Sequence, residues 1–166
     1  MKKIQVTSRI IPELDPQFVP AALWNREFRK LAAADAGSID AAITLERANG
    51  AISRFDTKLF ADTEENLALN FRYVERIVKF MLWAFGGKTV TIAGAPLVAA
   101  ELAKVYSADG ARAFDYQVMG ERIYGGKFEV KSCAYADAPA EKKISVKLGG
   151  NFQGCRIGFD LGGSDR

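Results

Sequence analysis

The stretch Thr89-Val90-Thr91-Ile92-Ala93-Gly94-Ala95-Pro96-Leu97-Val98-Ala99-Ala100 decides the fold. Thr89 to Ala93 is a short run rich in β-branched residues, the composition of a strand. Gly94-Ala95-Pro96 turns the chain into a helix expected from Leu97 to Tyr106. Strand, tight glycine turn and helix in succession form an α/β unit.

On the N-terminal side, Thr63 is a suitable N-cap, and Glu64 and Glu65 place negative charge in a first helical turn. That helix runs to about Phe85 and stops at Gly86-Gly87. Leu67, Phe71, Val74, Ile77, Val78, Met81 and Leu82 mark its apolar stripe. Ile43 to Phe60 reads as a β-hairpin about Asn49-Gly50, a dipeptide that suits a type I′ turn. The alternation slips by one residue between Ile52 and Phe55, consistent with a bulge. A shorter helix is expected from Ala21 to Ala34, with Leu23, Trp24, Phe28 and Leu31 on its apolar face. Before it, Pro12, Pro16 and Pro20 punctuate an extended arm with a candidate edge strand at Ile4 to Ile11.

On the C-terminal side, a helix is expected over Arg112 to Tyr124 and a strand over Lys127 to Lys131. From Ala136 to Gly154 the composition shifts to Pro139, the cluster Glu141-Lys142-Lys143, and Gly149-Gly150. This predicts a first domain at 1–137, a linker at 138–154, and the start of a second domain at 155–166. Arg156 to Asp160 is expected to open a new strand there. The predicted class is α/β (α+β): a mixed sheet with a β-hairpin and packed helices.

Composition narrows the function. The 166-residue chain is 49% hydrophobic and 26% charged, which argues against overall disorder. Its net charge of +3 is spread without a dense basic block, so no nucleic-acid partner is expected. Neither a membrane-span-length apolar run nor a signal-like N-terminus is legible, and a cytoplasmic protein with no membrane partner is expected. The absence of histidine excludes a Ser-His-Asp triad and any His-ligated metal within these residues. Cys133 and Cys155, far apart in sequence, are expected as free thiols.

The residues with most chemical content are Ile157-Gly158-Phe159-Asp160-Leu161-Gly162-Gly163-Ser164. An apolar strand ends in a carboxylate, followed by two glycines and a hydroxyl. Glycines let backbone N–H groups approach phosphate oxygens, serine adds a donor, and a carboxylate can hold hydrated Mg²⁺. By spacing alone, a plain turn at Gly162-Gly163 fits the same residues.

This segment resembles the first phosphate loop of the actin-like ATPase superfamily. It is most similar to that of the repressor–open reading frame–kinase (ROK) family of sugar kinases. Val74-Glu75-Arg76 with Leu82-Trp83, Thr91-Ile92-Ala93-Gly94, and Tyr106-Ser107 with Gly110 to Asp115 also resemble the N-terminal extension of a bacterial ROK subgroup. The resemblance implies an actin-like (ribonuclease H-like) domain begun at 155–166 and truncated, with ATP and Mg²⁺ as cofactors and a sugar as substrate of the intact protein. It implies that Asp160 sits near the metal and the transferred phosphoryl group, and that Gly162, Gly163 and Ser164 wrap the ATP phosphates. Many ROK kinases have Lys after the Gly-Gly-Thr, whereas this chain has Asp165-Arg166. The family's catalytic Asp, sugar-binding residues and zinc site would lie beyond Arg166, so the fragment is expected to be inactive alone. The N-terminal hairpin and strand disfavour a helix-turn-helix repressor. The alternative is a non-enzymatic interaction or regulatory domain of a kinase-like sugar sensor, with homo-oligomerisation open.

Other constellations have plainer readings. Glu64-Glu65 fits a helix-dipole role better than acid/base work. Gly94-Ala95-Pro96 could receive an anion at a helix N-terminus, but a simple strand-to-helix turn is favoured. Asp115 is expected to cap or pair and Phe114 to be core. Trp24, Trp83 and Phe85 are expected to be mostly core, with room for one exposed aromatic patch.

Overall fold

A computed structural model describes residues 4–7, 9–145, 153–155 and 157–158. It has the expected mixed α/β class. In chain order the elements are α1 (Ala21–Ala34), β1 (Ile39–Glu46), β2 (Ile52–Leu59), α2 (Glu64–Phe85), β3 (Thr89–Ala93), α3 (Pro96–Val105), α4 (Ala113–Gln117) and β4 (Glu129–Cys133). A π-helical turn, Val118–Arg122, continues α4, and a 3₁₀ turn, Tyr135–Asp137, follows β4. The sheet order is β2-β1-β3-β4, with β1 antiparallel to both neighbours and β3 parallel to β4.

The period-two pattern of β1 explains the layers. Ala41, Ile43 and Leu45 join the main core with Val90 and Ile92 of β3 and the apolar faces of α1, α2 and α3. The alternate residues Ala42 and Thr44, with Thr91 and Ala93, are buried as well. Their face carries the 3₁₀ turn, which lies against β1 and β3. Phe28 anchors α1: its ring stacks on Tyr73 of α2 at 4.2 Å and meets Phe60 edge-on at 5.3 Å. Burying one such ring contributes about 1.5–3 kcal/mol.

The ends of α1 and α2 fall where composition places them, but their faces are rotated. In α1 the buried set is Trp24, Phe28 and Ala32, at i, i+4 spacing, while Leu31 stays 41% exposed. In α2, Asn66, Asn70 and Tyr73 are buried with Val74, Val78, Met81 and Leu82. Thr63 begins α2, but its side chain accepts no capping bond from the backbone.

The hairpin departs from expectation at its tip. Arg47 N–H donates to the Ala51 carbonyl and Gly50 N–H to the Arg47 carbonyl, so the loop has three residues, Ala48 to Gly50. Within this loop only Gly50 has positive φ, at 78°, which excludes a type I′ turn. The β1–β2 register runs without a slip from Ile39↔Leu59 to Glu46↔Ile52, so there is no bulge between Ile52 and Phe55. Ile52 breaks the apolar alternation because it lies at an edge covered by another segment. Its backbone exchanges two hydrogen bonds with Lys142, and Arg54 Nη1 donates to the carbonyls of Ala138 and Pro139. Residues 138–144, in the segment expected as a linker, thus begin as a strap along β2.

The candidate strand at Ile4 to Ile11 is not formed in its described residues; Ile10 is 82% exposed. No segment of it pairs with either edge of the described sheet, β2 or β4. Of the strand expected at Arg156 to Asp160, Ile157 and Gly158 are described and lie in no strand, with Ile157 81% exposed. A lone strand has no ladder to join. Arg156, Phe159 and Asp160 lie outside the described residues.

Candidate functional site

Asp160, Gly162, Gly163 and Ser164, the phosphate-loop positions, all lie outside the described residues. Three other places in the described fold combine polar chemistry with shape.

The first is the turn from β3 into α3. Gly94 has φ of 84°, and a Cβ there would lie 2.4 Å from the Asp40 carbonyl oxygen, so only glycine fits without strain. The helix N-terminus beyond it is already filled. Asp62 Oδ2 accepts the Leu97 N–H at 2.8 Å, placing this chain's own carboxylate where an anion would sit. The plain turn reading holds.

The second is a polar lock between α2 and α4. Glu75, Lys79 and Trp83 recur at i+4 on α2 and face Arg112 and Asp115. Asp115, 2% exposed, receives Lys79 Nζ at 2.6 and 2.7 Å and Trp83 Nε1 at 2.7 Å. Arg112 Nε donates to Glu75 at 2.7 Å. Tyr106 is buried nearby; its hydroxyl has no partner among the described residues, and burial, then the charges of Glu75 and Asp115, push its pKa up. Each carboxylate already faces a cation, so the cluster holds α4 in place and keeps no free acid or base. Asp115 pairs as expected. Phe114 does not enter the core: it is 62% exposed and stacks on Trp83, itself 51% exposed, with ring centroids 6.3 Å apart. The carboxylate beside Phe114 takes the inward position, and so its ring turns outward.

The third is a groove of about 510 Å³ between β2, the C-terminal half of α2 and the strap. Its floor is Ile52, Phe55, Ile77, Phe80, Met81 and Phe85. Arg29, Arg47, Arg54, Lys142 and Lys143 stand around it, against one carboxylate, Glu141. Arg54 is held by Asp56 at 2.7 Å, and Lys143 lies 3.8 Å from Glu141. Arg29, Arg47 and Lys142 form no ion pair among the described residues. The Arg47 guanidinium carbon lies 5.3 Å from the centre of the Phe85 ring, and its buried Nε has no acceptor among the described residues. A volume of about 300–1,000 Å³ is usual for small-molecule sites, which are mostly apolar with a few placed polar groups.

The sequence offered no route to the groove, because its walls come from four separate segments. The only hint was the aromatic surplus at the end of α2. Cys133 and Cys155 are free thiols, as expected. Among the described residues no three acidic or thiol side chains gather as a metal site, and no helix is long and apolar enough to cross a membrane. Comparison with protein families, curated proteins and solved structures gave no match.

Proposed function

We propose that this chain is the front part of an ATP-dependent, sugar-kinase-like protein of ROK type. In this reading the described α/β domain precedes an actin-like nucleotide-binding body. The observation that carries it is the sequence Ile157 to Ser164, in which a carboxylate ends an apolar run and is followed by Gly-Gly-Ser. Backbone N–H groups at Gly162 and Gly163 would hold phosphate oxygens, and the Ser164 hydroxyl would add a donor. Asp160 would face Mg²⁺ through its waters. ATP would supply the phosphoryl group transferred to a sugar hydroxyl, a reaction in which proteins chiefly position groups and neutralise charge. Arg166 would offset Asp165 beside the phosphates. Nothing in the described domain duplicates these roles, so the 166 residues alone are expected to lack phosphotransfer. The test is calorimetric titration of Mg-ATP into the protein extended past Arg166, with and without hexoses, beside Asp160→Ala. Binding lost in the variant supports the reading; no binding to the unsubstituted protein overturns it.

A second reading is a non-enzymatic interaction domain, and one observation favours it. Trp83 and Phe114 stack on each other with ring centroids 6.3 Å apart, and each is more than half exposed where α2 meets α4. Large exposed apolar side chains grouped in this way mark contact surfaces. Sedimentation of the 166-residue chain tests it. Self-association abolished by Phe114→Ser supports the reading, and a monomer at every concentration removes the homo-oligomeric form of it.

A further inference from the structure

The groove beside β2 has an apolar floor and a cationic rim, the two halves of a site for a small amphiphile with a negative head. We propose that it binds a straight-chain fatty carboxylate, tail along the floor and head at Arg47. This rests on neither reading above: the domain would hold such a ligand whether or not a kinase body follows.

The tail half follows from the floor. Three phenylalanines, two isoleucines and a methionine make the floor, and Phe80 and Phe85 stay 61% and 43% exposed. Apolar surface left open in a concave site is released from water by an apolar guest. A flexible methylene chain can follow a floor of mixed rings and branched side chains, and Met81 can adapt to it.

The head half follows from Arg47. Its guanidinium lies against Phe85, at the margin of the floor, and carries a donor with no acceptor among the described residues. The guanidinium has no ion-pair partner among the described residues, and a carboxylate is the acceptor that its geometry fits best. Charge complementarity also selects a single negative head. Arg54 and Lys143 are already opposed by Asp56 and Glu141, while Arg29 and Lys142 add positive potential at the rim.

An extended peptide is disfavoured as the occupant. It would need the free edge of β2, and at Ile52 both edge hydrogen bonds are taken by Lys142. Arg54 is likewise held over the strap by the carbonyls of Ala138 and Pro139.

The experiment is calorimetric titration of decanoate, below its micelle concentration and near neutral pH, into the 166-residue chain. Decyltrimethylammonium, decyl phosphate and acetate serve as comparison ligands. Decanoate should bind in one-to-one ratio, and acetate should not bind measurably. Losing a charged hydrogen bond should weaken decanoate about tenfold in Arg47→Gln. Ile144→Asp places a carboxylate on the exposed wall of the groove, where no folding cost is expected, and should also weaken it. The cationic amphiphile should bind at least about tenfold more weakly than decanoate. No decanoate binding, equal binding of both charge types, or affinity unchanged in Ile144→Asp overturns the proposal. Decyl phosphate binding about tenfold more tightly than decanoate would overturn the carboxylate head. Should Arg47→Gln fail to fold, the exposed pair Arg29→Gln with Lys142→Gln replaces it, and unchanged affinity there counts equally against the site.

Discussion

The side chain of Asn70 pairs with the backbone of Phe60 as a second strand would. Phe60 N–H donates to Asn70 Oδ1 at 3.1 Å, and Asn70 Nδ2 donates to the Phe60 carbonyl at 2.9 Å. Asn70 is fully buried, so α2 supplies what the chain needs as it leaves β2. Leucine there would keep the volume and lose both bonds. Asn70→Leu should destabilise the fold by about 2–3 kcal/mol, read from urea unfolding midpoints. A loss below about 0.5 kcal/mol would show that the pairing adds little.

Asp115 makes a sharper local prediction. Replacing it with alanine leaves the Lys79 ammonium and the Trp83 indole N–H without their shared acceptor. Lys79 is 36% exposed and can turn to water, so the cost should stay near 2 kcal/mol, below that of a fully buried pair. Hydrogen exchange should accelerate first in residues 113–122, the segment this lock holds, while β1 and β3 keep their protection. Uniform acceleration across the sheet would contradict a local role.

Tyr106 should behave in the opposite sense. Its hydroxyl is buried with no partner among the described residues, while its ring stacks on Phe128 with centroids 5.5 Å apart. Phenylalanine keeps the ring contact and removes the unpaired group. Tyr106→Phe should therefore leave stability unchanged or raise it by about 1 kcal/mol. A loss of that size would mean the hydroxyl is satisfied in solution. Because burial raises the phenol pKa, the native protein should also show no tyrosinate absorbance from this residue near pH 10, a reference value for tyrosine.

Acid should remove the stability that the Asp56–Arg54 pair contributes. The hydrogen bond from Arg54 holds the Asp56 carboxyl below its ordinary range, with burial acting the other way. A depressed folded pKa gives stability that is present above the unfolded value, roughly 4, and is lost as pH falls through the lower folded value. Asp56 is 49% exposed, so its share should be only about 0.5 kcal/mol. The stability difference between the native protein and Asp56→Asn should be flat above about pH 5 and shrink toward zero below it. A difference that grows in acid would reverse the assignment.

What could be read from the chain in advance was local. The ends of α1 and α2, the position of β3 and the existence of the hairpin follow from punctuation by Pro, Gly and Thr and from helical spacing. Those signals act within a few residues. The turn at the hairpin tip differs from expectation because Asn49-Gly50 suits two loop lengths, and the Arg47–Ala51 pairing selects the longer one. Helix faces were harder. Periodicity shows that α2 has an apolar stripe, but Asn70 is buried because Phe60 lies opposite it, and Phe114 of α4 is outside because Asp115 takes the inner place. The groove depended on residues as distant as Arg29 and Ile144, and no window along the chain contains both.

The strap also bears on solubility. A sheet of this order has two edges, each a row of hydrogen-bonding groups able to recruit a strand from another molecule. At β2 the backbone of Ile52 is already engaged by Lys142, and the Arg54 side chain clasps the chain at Ala138 and Pro139. At β4 the outward charges of Glu129 and Lys131 discourage the same recruitment. Cutting the chain before Ala138 would bare β2 and remove its clasp. Such a shortened domain would keep its core yet acquire a face prone to fibril-like stacking, so any dissection of this protein should retain residues through at least Ile144.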